Sequence, residues 1–150
     1  MRTVVQRVSR ASVSAPEGYK AAIGNGMLVL VGIEENDSIS DIDWLAAKIA
    51  RLRIFNDAEG VMNLSVTEVS GEILVISQFT LHASTKKGNR PSYIRAARPE
   101  TAIPLYGKFV EVLRQETGLK VLTGVFGAHM EVELINDGPV TIIIDTQWKE

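Results

Sequence analysis

The chain has 150 residues, 45% hydrophobic and 23% charged, with a formal net charge of −2 and no cysteine. That length suits one domain with a real core, and the composition leaves no room for a disulfide framework, a thiolate metal site or a generally basic nucleic-acid binder. No apolar run approaches the roughly 20 residues of a membrane helix, and Met1–Gln6 alternates too early for an export signal, so an intracellular, cytoplasmic protein is expected.

The amino end reads as a strand, with Val4, Gln6 and Val8 alternating against Val5, Arg7 and Ser9. Ala15-Pro16-Glu17-Gly18 is turn chemistry and folds the chain back toward Lys20–Ile23. After a second turn at Gly24-Asn25-Gly26, the continuous apolar run Met27–Ile33 predicts a strand buried on both faces. The polar break from Glu34 to Asp41 holds candidate caps at Asp37, Ser38 and Ser40. Ile42, Leu45, Ile49 and Leu52 then recur at helical spacing, with Trp44 read as a core or interface residue rather than a base-stacking one. A turn at Asn56–Gly60 follows.

Glu72–Leu81 carries the buried-strand run Ile73–Ile76 and turns polar at Ser77 and Gln78. If alternation continues, Ser77, Phe79 and Leu81 face one side, and Gln78 and Thr80 the other. Ala83–Pro91 predicts an exposed, mobile loop. A second helix is expected over Leu105–Gln115, with Pro99 able to open it and Gly118 suited to its exit; Pro104 predicts a kink or a later start. The chain closes on a half-exposed strand with Met130, Val132 and Leu134, a tight connection at Asn136-Asp137-Gly138-Pro139, and a central strand Val140–Ile144.

Familiar catalytic arrangements are missing. His82 and His129 form no metal-ligand pair at helical spacing, and there is no Gly-x-Ser-x-Gly elbow or Gly-x-x-x-x-Gly-Lys phosphate loop. No metal or cofactor is expected, and His82 reads as a surface residue at a strand end. Two polar clusters remain. Ser77, Gln78 and Thr80 either satisfy their own backbone at a strand end or line a site at the sheet's edge. Gly138-Pro139 is either a plain hairpin turn or a wall of main chain, since glycine lets a ligand approach the backbone and proline makes a cis peptide accessible. Turned into a pocket, such carbonyls could hold an amino group and exclude a side chain. Between Leu81 and Pro99 there is no acid, while Lys86, Lys87, Arg90, Arg95 and Arg98 all fall there. That stretch is a solvated loop or a local phosphate-binding patch.

Ser77-Gln78-Phe79-Thr80-Leu81 and Asn136-Asp137-Gly138-Pro139-Val140-Thr141 resemble the two signature motifs of the D-aminoacyl-tRNA deacylases. Supporting stretches are Val5–Val13, Met62–Val66, Lys87–Ser92 and Phe126-Gly127-Ala128, so the similarity spans nearly the whole chain. The resemblance implies a single compact α/β domain over residues 1–150, with a mixed, barrel-like sheet flanked by two main helices, assembled as a homodimer with its sites at the subunit interface. It implies that Gly138 and Pro139 form a cis bond inserted into the partner's pocket to reject L-amino acids. Ser77, Gln78, Phe79 and Thr80 would line the site for the aminoacylated terminal adenosine of tRNA, Phe126 would pack near that adenosine, and Arg7 would brace the Gly–Pro loop. His129, Pro104 and the Tyr19-Lys20 hairpin depart from the family pattern.

The implied reaction is hydrolysis of the aminoacyl ester, for D-amino acids and for glycine misattached to alanine tRNA. Thr80 could act as nucleophile, although no base for it is evident; water attack aided by the tRNA's neighbouring 2′-hydroxyl is preferred, with amides near Phe79 and Thr80 polarising the carbonyl. Lys86, Lys87 and Arg90 are the candidates for tRNA backbone contact. Two alternatives stand beside this: a non-catalytic dimer that holds nucleic acid, and a sister editing enzyme that removes L-alanine.

Overall fold

The amino-terminal alternation becomes a 14-residue strand, β1 (Arg2–Ala15), in a computed structural model that describes residues 1–149. β1 organises the sheet, pairing antiparallel with β2 (Tyr19–Ile23), β3 (Gly26–Gly32) and β8 (Glu131–Asp145). The expected hairpin is present, with Ala15 opposite Tyr19 across the turn Pro16–Gly18. Its side chains change face once. Thr3, Val5 and Arg7 are buried on one side, Val8, Ala11 and Val13 on the other, because register shifts around Val8–Arg10 insert an extra residue.

β3 pairs in parallel with β6 (Glu72–Ser77), and β6 with the short β7 (Val121–Thr123), so the sheet is mixed, strongly curved and nearly closed. β3 and β6 are covered on both faces, as their continuous apolar runs predict. Met27, Val29, Ile73 and Val75 point to the larger core, and Leu28, Leu74 and Ile76 to the smaller. A separate two-residue pairing joins β4 (Phe55–Asn56) to β5 (Met62–Leu64) around the predicted turn.

The helices α1 (Ile39–Ala50) and α2 (Pro99–Thr117) pack against each other and onto the larger core. α1 buries Ile42, Leu45 and Ile49 as its spacing predicts, while Leu52 lies beyond its end. Ser38 caps it, its N–H donating to Asp41 Oδ2 at 2.9 Å. α2 starts earlier than expected, at Pro99, and ends on Gly118, which takes the left-handed conformation (φ 64°). Pro104 sits inside without breaking it: its ring lies on the exposed side, and the carbonyl four residues back, that of Glu100, belongs to the solvated first turn.

The two closing strands are one. β8 runs 15 residues along β1, with the Asn136–Pro139 segment forming an internal bulge rather than a connection. Three extra residues between Asn136 and Thr141 move the even-numbered side chains from one face of the sheet to the other, so Val132 and Leu134 pack on the smaller core and Val140, Ile142 and Ile144 on the larger. Val140–Ile144 is therefore not central: it pairs only with β1 among the described residues, and Thr141 and Ile143 are exposed.

Candidate active site

The last ladder bond of the β6 strand line runs from Gln78 N–H to Val31 O at 2.7 Å, after which the chain tightens into a 3-10 turn, Phe79–His82. Leu81 N–H to Gln78 O (3.2 Å) and Ala83 N–H to Thr80 O (3.0 Å) close it. The expected alternation of Ser77, Phe79 and Leu81 against Gln78 and Thr80 therefore stops at Ser77. Phe79 is thrown outward, 56% exposed, and meets the edge of Tyr93 with ring centroids 5.1 Å apart. Gln78 Nε2 donates to Thr80 Oγ1 at 2.6 Å. The N–H groups of Phe79 and Thr80 open the turn, where a helical segment offers no internal acceptor.

The turn is pinned from behind. Arg2 Nη1 donates to Leu81 O at 2.9 Å while its Nε holds Asp145 Oδ2 at 2.8 Å. Burial raises the Asp145 carboxyl, but the Gln147 N–H and the Arg2 guanidinium outweigh it and hold that carboxyl below its usual range. His82, expected on the surface, is fully buried. The turn swings its ring inward, where Nδ1 lies 3.4 Å from Glu34 Oε1.

In front of Phe79 lies a cavity of about 250 Å³, with Ser77, Gln78 and Phe79 on one side and Phe126, His129 and Met130 on the other. Phe126 is backed by the tilted ring of Tyr106 at 5.6 Å. Burial pushes the Tyr106 phenol well above its ordinary range, keeping it a donor to Val75 O at 3.1 Å. A larger concavity, about 710 Å³, lies between α1 and the end of β8 and is bordered by Trp44, Lys48 and Trp148. It gathers none of the motif side chains, so the smaller one is the candidate. Trp44 itself packs partly buried against the larger core, with the Lys48 and Lys149 ammonium groups over its ring.

The Gly138–Pro139 peptide is cis, and both residues are exposed at the crest of the β8 bulge. Gly138 adopts φ 147°, and a Cβ there would stand 2.9 Å from Val140 N and 3.2 Å from Arg7 Nη2, so no other residue fits without displacement. Arg7, buried, donates through Nε to Asp137 O (2.7 Å) and through Nη1 to Ile54 O (2.6 Å) and Asn56 Oδ1 (3.2 Å). Asn136 Oδ1 accepts from Val140 N–H at 2.7 Å and closes the bulge from its other side.

One chain thus brings Ser77, Gln78, Phe79 and Phe126 together, with Thr80 bonded to Gln78, and separately braces the bulge that carries Gly138 and Pro139 through Arg7 on the Asp137 carbonyl. The two groups share no lining residue. Lys86, Lys87 and Arg90 lie exposed on a loop whose ends are tied by two Ser84–Ser92 main-chain bonds of 2.8 and 2.9 Å. Arg95 is drawn onto Glu34 at 2.7 Å, and the Arg98 main-chain N–H donates to Glu35. Sequence reasoning missed Tyr93, His129 and Arg2. Only proximity in space marks the first two; Arg2 lies on the exposed-edge phase of β1 and carries no motif. Among the described residues no group of three His, Asp or Glu side chains could hold a metal ion, and no helix is long and apolar enough to cross a membrane.

Fold and site define an α/β domain whose candidate site is walled by polar and aromatic side chains and main-chain groups, with the Phe79–His82 turn held by Arg2 and the β8 bulge by Arg7. The family described as D-Tyr-tRNA(Tyr) deacylase matches residues 4–145. D-aminoacyl-tRNA deacylases of Bacteroides thetaiotaomicron and Bacteroides fragilis are 64% and 65% identical over 150 residues, covering all of both chains. Among solved structures, a c-Myc DNA unwinding element binding protein is 42% identical with a TM-score of 0.89, covering 97% of this chain and 98% of that one. A probable eukaryotic D-amino acid tRNA deacylase shares the fold at 18% identity, with a TM-score of 0.82 over 95% of this chain and 97% of that one. The chain belongs to the D-Tyr-tRNA(Tyr) deacylase family.

The Arg2–Asp145 pair makes stability sensitive to acid. The Asp145 carboxyl is lowered in the folded state, so its contribution is complete above the ordinary value of about 3.9 and is lost as pH falls through the lowered one. In Asp145→Asn, the fall of the melting temperature between neutral and strongly acid pH is expected to be shallower than in the parent; an unchanged slope would assign the acid sensitivity elsewhere.

Proposed function

We propose that the chain hydrolyses the ester between a D-amino acid and the terminal adenosine of tRNA, releasing the free amino acid and tRNA and so proofreading chirality alongside translation in the cytoplasm. The observation that carries this is the polar turn: Ser77–Thr80 ends a buried strand beside a cavity floored by Phe126, and the turn's opening N–H groups have no acceptor within it. Those amides would stabilise the developing oxyanion, while Phe126 and Phe79 offer apolar faces for the adenine and ribose. An aminoacyl ester is already activated, so positioning contributes much of what the reaction requires.

Thr80 acts in positioning. Its hydroxyl already accepts from Gln78, and the nearest histidine in sequence, His82, is turned into the core rather than toward it. Water is the nucleophile in this reading, assisted by the 2′-hydroxyl beside the ester, and the departing ribose oxygen takes up a proton.

Selectivity is assigned to Gly138 and Pro139. The bulge and the cavity share no lining residue within one chain, so the bulge is offered to a second copy. The exposed face of β8, with Ile135, Pro139, Thr141 and Ile143, supplies surface for a homodimer. Seated in the partner's cavity, main-chain carbonyls fixed from behind by Arg7 and Asn136 would occupy the space an L side chain needs. D side chains would point away, and glycine on alanine tRNA would pass as a second substrate.

A second reading has one specific support: a relative 42% identical is named for binding a DNA unwinding element. Under it, the chain would hold nucleic acid without turnover. A deacylation assay separates the two, with D-tyrosyl-tRNA hydrolysed and L-tyrosyl-tRNA spared; equal hydrolysis of both would sink the filter, and preference for L-alanyl-tRNA would identify a sister specificity. Thr80→Ala is expected to keep substantial turnover, whereas near-complete loss with tRNA binding intact would restore it as nucleophile. Neutralising Lys86, Lys87 and Arg90 together should weaken tRNA binding and flatten its salt dependence by up to about three phosphate contacts.

A further inference from the structure

His82 is an expensive residue where it stands. Its imidazole is fully buried and neither ring nitrogen has a hydrogen-bond partner, although buried polar groups are nearly always satisfied. An imidazole carries an N–H on at least one nitrogen, and the charged group within reach is Glu34, 3.4 Å from Nδ1. The same Glu34 oxygen takes Arg95 Nη2 at 2.7 Å. One carboxylate oxygen therefore touches both the last residue of the site turn and Arg95, a half-exposed cation of the Lys86–Arg98 stretch.

The surroundings hold this chain in one place. Glu34 pairs with Ala96 as an isolated bridge, and Ala97 N–H donates to Ile33 O at 2.8 Å, so the backbone beside Arg95 is stitched to the end of β3. Glu34's own N–H is held by Asp37 Oδ2 at 2.7 Å. On the ring's other side a Cβ at Gly32 would stand 2.9 Å from His82 Cδ2 and 2.9 Å from Gln78 O, so ring and carbonyl both crowd that glycine. The Gln78 carbonyl is the acceptor that closes the turn from Leu81 N–H. The His82 ring and the Gln78 carbonyl therefore both border Gly32, which places the ring beside the backbone that closes the turn.

Stability alone would favour leucine here, because replacing a buried unsatisfied polar group by an apolar one of similar size is neutral or stabilising. We infer that His82 is a positioning residue for the deacylation reaction, acting through Glu34 to couple the Phe79–His82 turn to Arg95 and the basic loop. The inference rests on the deacylase reading proposed above. When tRNA phosphates engage the loop, the Arg95–Glu34–His82 chain would carry the adjustment to the N–H groups of Phe79 and Thr80.

The test uses the full chain and D-tyrosyl-tRNA, comparing His82→Leu, His82→Asn, Arg95→Gln and a double variant that joins His82→Leu with Arg95→Gln. His82→Leu should lower kcat about tenfold with KM and melting temperature nearly unchanged or the latter raised. His82→Asn, whose amide restores an N–H near Nδ1, should recover most of the rate. The double variant should be no slower than the slower single one, the mark of a shared pathway. Full activity of His82→Leu, multiplying effects in the double variant, or a loss that follows a lowered melting temperature without rescue by asparagine would overturn the coupling. Absence of turnover in the parent would instead remove the deacylase reading, and the inference with it.

Discussion

A guanidinium buried in a protein must find acceptors for its N–H groups, and Arg7 finds them in three parts of the chain. It binds the carbonyl of Asp137 in the β8 bulge, the carbonyl of Ile54 ahead of β4, and the side chain of Asn56. The nearest carboxylate, that of Asp137, is 3.6 Å away and mostly exposed, so main-chain dipoles rather than a formal counter-ion solvate much of the charge. The geometry is specific: a planar fork fixes the directions of its partners in a way that a lysine ammonium cannot. Three extra residues leave ladder groups that β1 does not satisfy, and Arg7 takes up one of them, the Asp137 carbonyl, while Asn136 takes the Val140 N–H.

The candidate site follows the same economy. The Phe79–His82 turn and the β8 bulge present N–H groups, carbonyls and short polar side chains, while two guanidinium groups stand behind them, Arg2 on the Leu81 carbonyl and Arg7 on the Asp137 carbonyl. Charges placed behind the backbone fix dipoles without offering a nucleophile or a base to the cavity.

Much of this is legible in the residues. Continuous apolar runs foretell β3 and β6, turn chemistry foretells the first hairpin, and helical spacing locates α1. Gly118 marks the end of α2, because a left-handed cap needs a residue without Cβ. Where sequence and structure part, the causes are backbone closures and contacts between distant segments that no single-chain pattern exposes. Strand alternation past Ser77 fails because Gln78 N–H makes the last ladder bond and the backbone then closes on itself. His82 looks like a surface residue in sequence because Glu34, far earlier in the chain, is what receives it. β8 reads as two strands because Gly138-Pro139 is usually punctuation, whereas here β1 continues past it and pairs on both sides. β4, β5 and β7 are too short to carry a period. The two motifs are visible as motifs, but their separation within one chain becomes visible only in three dimensions.

The pairing of β1 with β8 also sets an order of events during synthesis. Arg7 and the Asp137 carbonyl are 130 residues apart. At the roughly 5–20 residues per second of a ribosome, the guanidinium waits on the order of ten seconds for its partner, with one edge of β1 unfilled. A nascent chain can assemble the hairpin, the parallel strands and both helices in that interval, yet it holds no formed bulge until β8 emerges. A molecule truncated before β8 would lack both the Gly138–Pro139 crest and Asp145, the partner that holds Arg2 behind the Phe79–His82 turn. The order of translation therefore makes the Gly138–Pro139 crest the last part of the sheet to be completed.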